Sequence, residues 1–112
     1  MAIFFQTHNP SHLLKEFKHK IDTKHIETWS YDTDGDFTHT PVEWHNDAWL
    51  RPHIEDTHLV FTILKPEQTT MSSVIYAIYH ARFIEAMLIH CDASFTHAGA
   101  SALADERDRI GY

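Results

Sequence analysis

The chain has one cysteine, three glycines and four prolines in 112 residues. A single Cys91 leaves no partner for an internal disulfide. The fold must therefore hold by packing, and a reducing, cytoplasmic setting is the expectation. Three glycines leave little backbone able to wrap closely around a phosphate. There is no phosphate loop, dinucleotide fingerprint or nucleophile elbow, and no HExxH, paired CxxC or zinc-finger spacing. Basic clusters are missing too. The formal net charge is −7, which argues against nucleic acid as a partner. The opening MAIFFQTHNP lacks a basic n-region, and its apolar run is too short for a secretory signal. The longest apolar segment, residues 70–90, carries His80, Arg82 and Glu85 in its middle, so no membrane span is expected.

That segment is what the chain does have. Its twenty-one residues contain no glycine or proline, and Ala, Met, Leu, Ile, Arg and Glu dominate its second half. This composition predicts a helix, capped by Thr69 or Thr70 and ending by about His90. At 100° per residue, Ser72, Ser73, Tyr76 and His80 form one narrow polar stripe, and most of the remaining circumference is apolar. A helix apolar nearly all round has to be covered on more than one side. A chain this short supplies two layers, so the cover is expected to be a second copy, giving a homodimer through residues 70–90. The alternative is a central helix wrapped by its own chain. Arg82 and Glu85, three residues apart, are placed to pair on the helix surface.

The other elements follow in order. Residues 2–7 read as a strand. Asn9-Pro10 opens an amphipathic helix whose apolar positions are Leu13, Leu14, Phe17 and Ile21. Residues 26–31 and 36–40 read as strands joined by an Asp34-Gly35 hairpin. Residues 41–57, with Trp44, Trp49, Pro41 and Pro52, fit no period and read as a long loop of the kind that often carries function. Residues 58–64, HLVFTIL, form the best strand, and residues 93–98 read as a final short one. The expectation is a single α+β domain over 1–98, with 99–112 as a tail that is frayed or a short surface helix. It has a mainly antiparallel sheet and two helices on one face, in the order β-α-β-β-β-α-(β). A ferredoxin-like sandwich or a variant is the nearest arrangement.

Two compositional features bear on function. Residues 26–58 hold eight acids, Glu27, Asp32, Asp34, Asp36, Glu43, Asp47, Glu55 and Asp56, against Arg51 alone. Such a stretch suits a basic protein partner or a cation. Histidine is the outlier, with eleven residues spread along the whole chain. His90, Cys91, Asp92 and His97 mix imidazole, thiol and carboxylate in a way that suits zinc or nickel. His8 with His12, His39 with Glu43 and His45, and His53 with Glu55 and His58 are looser groups. Asp32, Asp34, Asp36 and Glu43 fall at positions one, three, five and twelve of a calcium-type loop. However, Phe37 stands where that loop needs glycine, so an acidic hairpin explains the same residues.

No cofactor is expected from these patterns. The leading expectation is a non-enzymatic, homodimeric, protein-binding module whose contact surface includes Trp44, Trp49, Tyr76 and His80. The competing expectation is a histidine-rich metal-binding protein or small metal-dependent enzyme.

Overall fold

The structure, a computed structural model, describes residues 3–67, 69–103 and 108. It is an α+β fold with one six-stranded antiparallel sheet and two helices. The elements are β1 (Ile3–Gln6), α1 (Pro10–Asp22), β2 (Trp29–Tyr31), β3 (Phe37–His39), β4 (Trp49–Ile54), β5 (His58–Leu64), α2 (Ser73–His90) and β6 (His97–Ala100). A short 3-10 turn (Asp92–Ser94) joins α2 to β6. The sheet order is β2-β3-β4-β5-β1-β6, with every neighbouring pair antiparallel.

The first helix forms as its sequence dictates. The Asn9 side chain accepts the His12 N–H at 3.1 Å, Pro10 takes the first helical position, and Leu13 and Phe17 turn inward. For α2 the cap is Ser72, which accepts the Ile75 N–H at 3.1 Å, rather than Thr69 or Thr70. The helix therefore starts later than its apolar run. The final strand also lies further on than expected, because residues 92–94 turn before β6 can pair with β1.

The expected element order is one strand short, and the sheet order differs from that of a ferredoxin-like sandwich. Residues 49–54 are not loop but β4, paired along their whole length with β5 from Trp49↔Leu64 to Ile54↔Leu59. Pro52 argues against a strand in sequence because it lacks an N–H. Here β3 pairs with β4 only at Phe37↔Leu50, so Pro52 lies beyond that contact and has only β5 beside it. One side of β4 can thus spare a donor at that position.

Both helices send their buried residues into one cluster with the inward residues of β1 to β5. At its centre the Phe83 ring lies 4.6 Å from Phe61, 5.0 Å from both Phe17 and Trp29, and 5.8 Å from Phe37. Alternation along β5 sends Leu59, Phe61 and Ile63 to this core and Val60 and Thr62 to the opposite face. That face also carries Phe4, Arg51, His53 and Trp49, the cross-strand neighbours of β5 or β6 residues. Gly99 opposes Phe4 closely: a Cβ at position 99 would sit 2.6 Å from the Phe4 Cζ.

Gly99 and Ala100, placed in the tail from sequence, are part of β6. The Asp108 carboxylate accepts the Ile63 N–H at 2.7 Å. The rest of the expected tail, residues 104–107 and 109–112, lies outside the described residues. Among the described residues no helix is long and apolar enough to cross a membrane.

Candidate functional site

Between α2 and the end of the β2–β3 hairpin lies an open cleft of about 350 Å³, lined by Thr28, His39, Pro41, Glu43, Trp44, Arg82 and Glu85. One wall is the segment that follows β3. The backbone of that segment is pinned at several points. The Trp44 and His45 N–H groups both donate to the Pro41 carbonyl at 2.9 Å, and Asn46 turns through a left-handed φ of 61°, a region asparagine tolerates better than most residues. The Thr38 hydroxyl donates to the Ala48 carbonyl at 2.9 Å and accepts the Asn46 N–H at 3.2 Å. From α2, the buried Tyr79 hydroxyl donates to the Trp44 carbonyl. The loop that carries Glu43 and Trp44 is therefore anchored to the core.

His39 sits at the base of the cleft. Its Nδ1 lies 2.7 Å from the Thr28 carbonyl, which can only accept, so Nδ1 bears the proton and Nε2 keeps its lone pair. The imidazole stacks on Trp29, its cross-strand partner, with ring centroids 4.5 Å apart. Burial pushes its pKa below the ordinary histidine value; the Thr28 bond opposes this, and the nearby Arg82 charge adds to it. The ring is thus held as a neutral acceptor. Across the cleft, the Arg82 guanidinium donates to the Glu85 carboxylate at 3.2 and 3.4 Å. This exposed pair contributes little to stability. Glu43 is exposed on the loop.

The residues expected at a contact surface do not form one. Trp44 is half-buried at the cleft, whereas Trp49 lies on the sheet face turned away from the helices. His80 is only 5% exposed. Its Nδ1 donates to the Tyr76 carbonyl at 2.6 Å and its ring stacks on Tyr76 at 3.9 Å. The Tyr76 hydroxyl donates to the Ser101 carbonyl at 3.2 Å. Tyr76 and His80 are turned toward the core alongside Phe83 and Met87, with His80 Nε2 left without a partner among the described residues, whereas Ser72 and Ser73 of the same polar stripe stay exposed.

The metal sets are also dispersed. Among the described residues, one group alone brings three potential ligand atoms within 4.8 Å of one another, and it is Asp32, Asp34 and Asp36. His90, Cys91, Asp92 and His97 do not converge, and Cys91 is buried with its thiol pushed up to about 12, chiefly by burial. The three aspartates sit in a tight turn. Asp32 Oδ1 accepts the N–H groups of Asp34 and Asp36 at 3.0 Å, and Gly35 supplies a φ of 84°. Glu43 is not with them. Both Asp36 oxygens are taken by the Arg51 guanidinium at 3.0 and 2.8 Å, so a side-chain cation already stands beside this turn.

A second depression, of about 370 Å³, is lined by Thr7, His8, Asn9, His12 and residues 93–96. Its two imidazoles are exposed, and His12 stands 3.7 Å from Glu16. Its walls are pinned as well, by the Thr7 hydroxyl donating to the Ser94 carbonyl at 2.8 Å and the Thr96 N–H donating to the Gln6 carbonyl at 2.8 Å, but neither of its imidazoles is held in place by burial as His39 is. No known protein family, curated protein or solved structure matches this chain. The cleft joins residues 28–44 to residues 82–85, two segments distant in sequence. In the sequence, His39 and Glu43 appeared in a loose group with His45, Glu43 also closed the calcium-type pattern, and nothing there linked either to Arg82 and Glu85.

Proposed function

We propose that this chain is a non-enzymatic, protein-binding module that self-associates along the outer face of α2. One observation carries the reading. After the sheet and α1 have covered one side of α2, its other side is left uncovered and is largely apolar, interrupted by the exposed Arg82–Glu85 pair. Val74 is 60% exposed, Leu88 51% and Ile89 66%, and Ala77 and Ala81 are exposed between them. Val74, Ala77, Ala81 and Leu88 form one ridge, with Ala81 at its midpoint.

A second copy is the occupant that fits this ridge. In a two-fold, antiparallel contact centred on Ala81, Val74 of one copy lies against Leu88 of the other, and the reverse pair repeats it. The small side chains at Ala77 and Ala81 let the two helices approach closely at the crossing. Glu85 falls on the same side of α2 as this ridge and lines the cleft with Arg82, so the contact runs along the edge of the cleft.

In this reading the fold is a six-stranded elaboration of a ferredoxin-like sandwich, with β1 between β5 and β6. A reducing, cytoplasmic setting suits the lone buried Cys91. The deciding experiment is the mass in solution across a concentration series, by light scattering or sedimentation. A dimer is expected, and Leu88→Glu should return it to a monomer with an unchanged circular dichroism spectrum. A wild-type monomer at high concentration would overturn the proposal.

A further inference from the structure

We propose that the cleft at His39 binds the guanidinium of an arginine side chain in a partner polypeptide. The inference rests on the reading of the chain as a protein-binding module, but not on its dimerisation. The lining of the cleft carries the argument. Glu43 presents a carboxylate and His39 presents the lone pair of Nε2, neither with a partner among the described residues. The Glu85 carboxylate is shared with Arg82, so the one cation of the lining is already matched. What the cleft leaves unfilled is acceptor capacity on a net negative surface. An anion would have to approach that surface against its charge.

Shape and donor number select arginine. A guanidinium is planar and carries five N–H donors in a fixed fork. Two of them match a carboxylate such as Glu43, and a third can reach an imidazole acceptor. Trp44 lines the same wall, and a guanidinium binds against an indole better than a strongly hydrated ammonium does. Because Tyr79 and Thr38 hold the loop, these groups are in place before the ligand arrives.

The surroundings select a polypeptide rather than a small guanidine. Val42, next to Glu43, is 92% exposed on the same anchored loop. An apolar residue beside the arginine would cover it. The ligand is therefore an arginine flanked by an apolar residue in an extended segment.

The test is a 1H–15N NMR titration of the full chain with the peptide acetyl-Gly-Leu-Arg-Leu-Gly-amide. Parallel titrations use peptides with citrulline, lysine or glutamate in place of the arginine. Saturable shifts are expected at Glu43, at the Trp44 indole and at Arg82. Citrulline has the same shape without the charge and should bind at least about tenfold more weakly, as should the wild-type peptide to Glu43→Gln. Lysine should fall between. Equal binding of the citrulline or glutamate peptide, unchanged affinity in Glu43→Gln, or shifts confined to another surface would overturn the proposal. Mass measured on the same samples keeps the two readings apart: a monomer that takes the arginine peptide removes the dimer alone, and a dimer that ignores it removes the cleft alone.

Discussion

Trp29 and His39 lie face to face across the β2–β3 pair, their rings 4.5 Å apart and 29° from parallel. The indole fixes the plane of the imidazole, and the Thr28 carbonyl fixes which nitrogen carries the proton. Tryptophan thereby sets the aim of a histidine at the base of a cleft whose loop wall is anchored to the core.

Acid should destabilise the fold. Burial lowers the pKa of His39, His80 and His90 below the ordinary value, and the nearby Lys20 charge adds to it at His90. A histidine with a lowered folded-state pKa takes its proton later than the same residue in the unfolded chain. The unfolded chain therefore gains protons first as pH falls. Stability should be full above the ordinary histidine range near 6.5 and should be lost as pH drops through it. Urea midpoints measured between pH 8 and pH 5 check the sign. His80→Phe keeps a ring against Tyr76 and should flatten part of the slope; a midpoint that rises toward acid contradicts the assignment.

The two sides of α2 should respond differently to truncation. Phe83 is fully buried among aromatic rings, so Phe83→Ala should cost about 3–5 kcal/mol. Leu88 faces outward, so Leu88→Ala should change protomer stability by no more than about 0.5 kcal/mol. Denaturant unfolding at a concentration where both variants are monomeric makes the comparison. Equal costs would mean the helix is turned otherwise.

Tyr79 is expected to hold the cleft wall rather than only fill space. Tyr79→Phe keeps the ring but removes the hydroxyl that donates to the Trp44 carbonyl. The cost should be about 1 kcal/mol. Amide exchange should speed up at residues 44–48 and stay slow in β5. Exchange that is unchanged across that loop would assign its rigidity to other contacts.

Arg51 should be the counter-ion of the acidic turn. Asp36 is 5% exposed and lies with Asp32 and Asp34, so Arg51→Gln leaves three carboxylates together without their cation. A loss of about 1–3 kcal/mol is expected. Millimolar calcium should leave the melting temperature of the natural chain unmoved, and a calcium-dependent rise there would reinstate the calcium-loop reading.

Cys91 should be chemically silent. It is 1% exposed with its thiol raised to about 12, so the thiolate is scarce at pH 8. A thiol-reactive dye should label it only after unfolding. Rapid native labelling, or protection that depends on added zinc, would revive the metal set with His90, Asp92 and His97.

Particular residues show how far the sequence reached. Asn9-Pro10 announced α1, and Leu13 and Phe17 announced its buried side, because capping and helical spacing are local. Asp34-Gly35 announced the turn between β2 and β3. The run 58–64 announced a largely buried strand inside the sheet, between β4 and β1. Pro52 concealed β4, since a missing N–H disqualifies a strand only when both sides of it are paired. Tyr76 and His80 concealed the inward side of α2, since polar groups go inside wherever a carbonyl can receive them.

The sequence by itself determined the fold class, both helices and the acidic turn, because those depend on spacing among near neighbours. The tertiary structure alone decided which side of α2 is left bare, and it alone brought His39 and Glu43 opposite Arg82 and Glu85. Those outcomes depend on which distant groups can satisfy a buried polar atom, and no pattern within one segment encodes that.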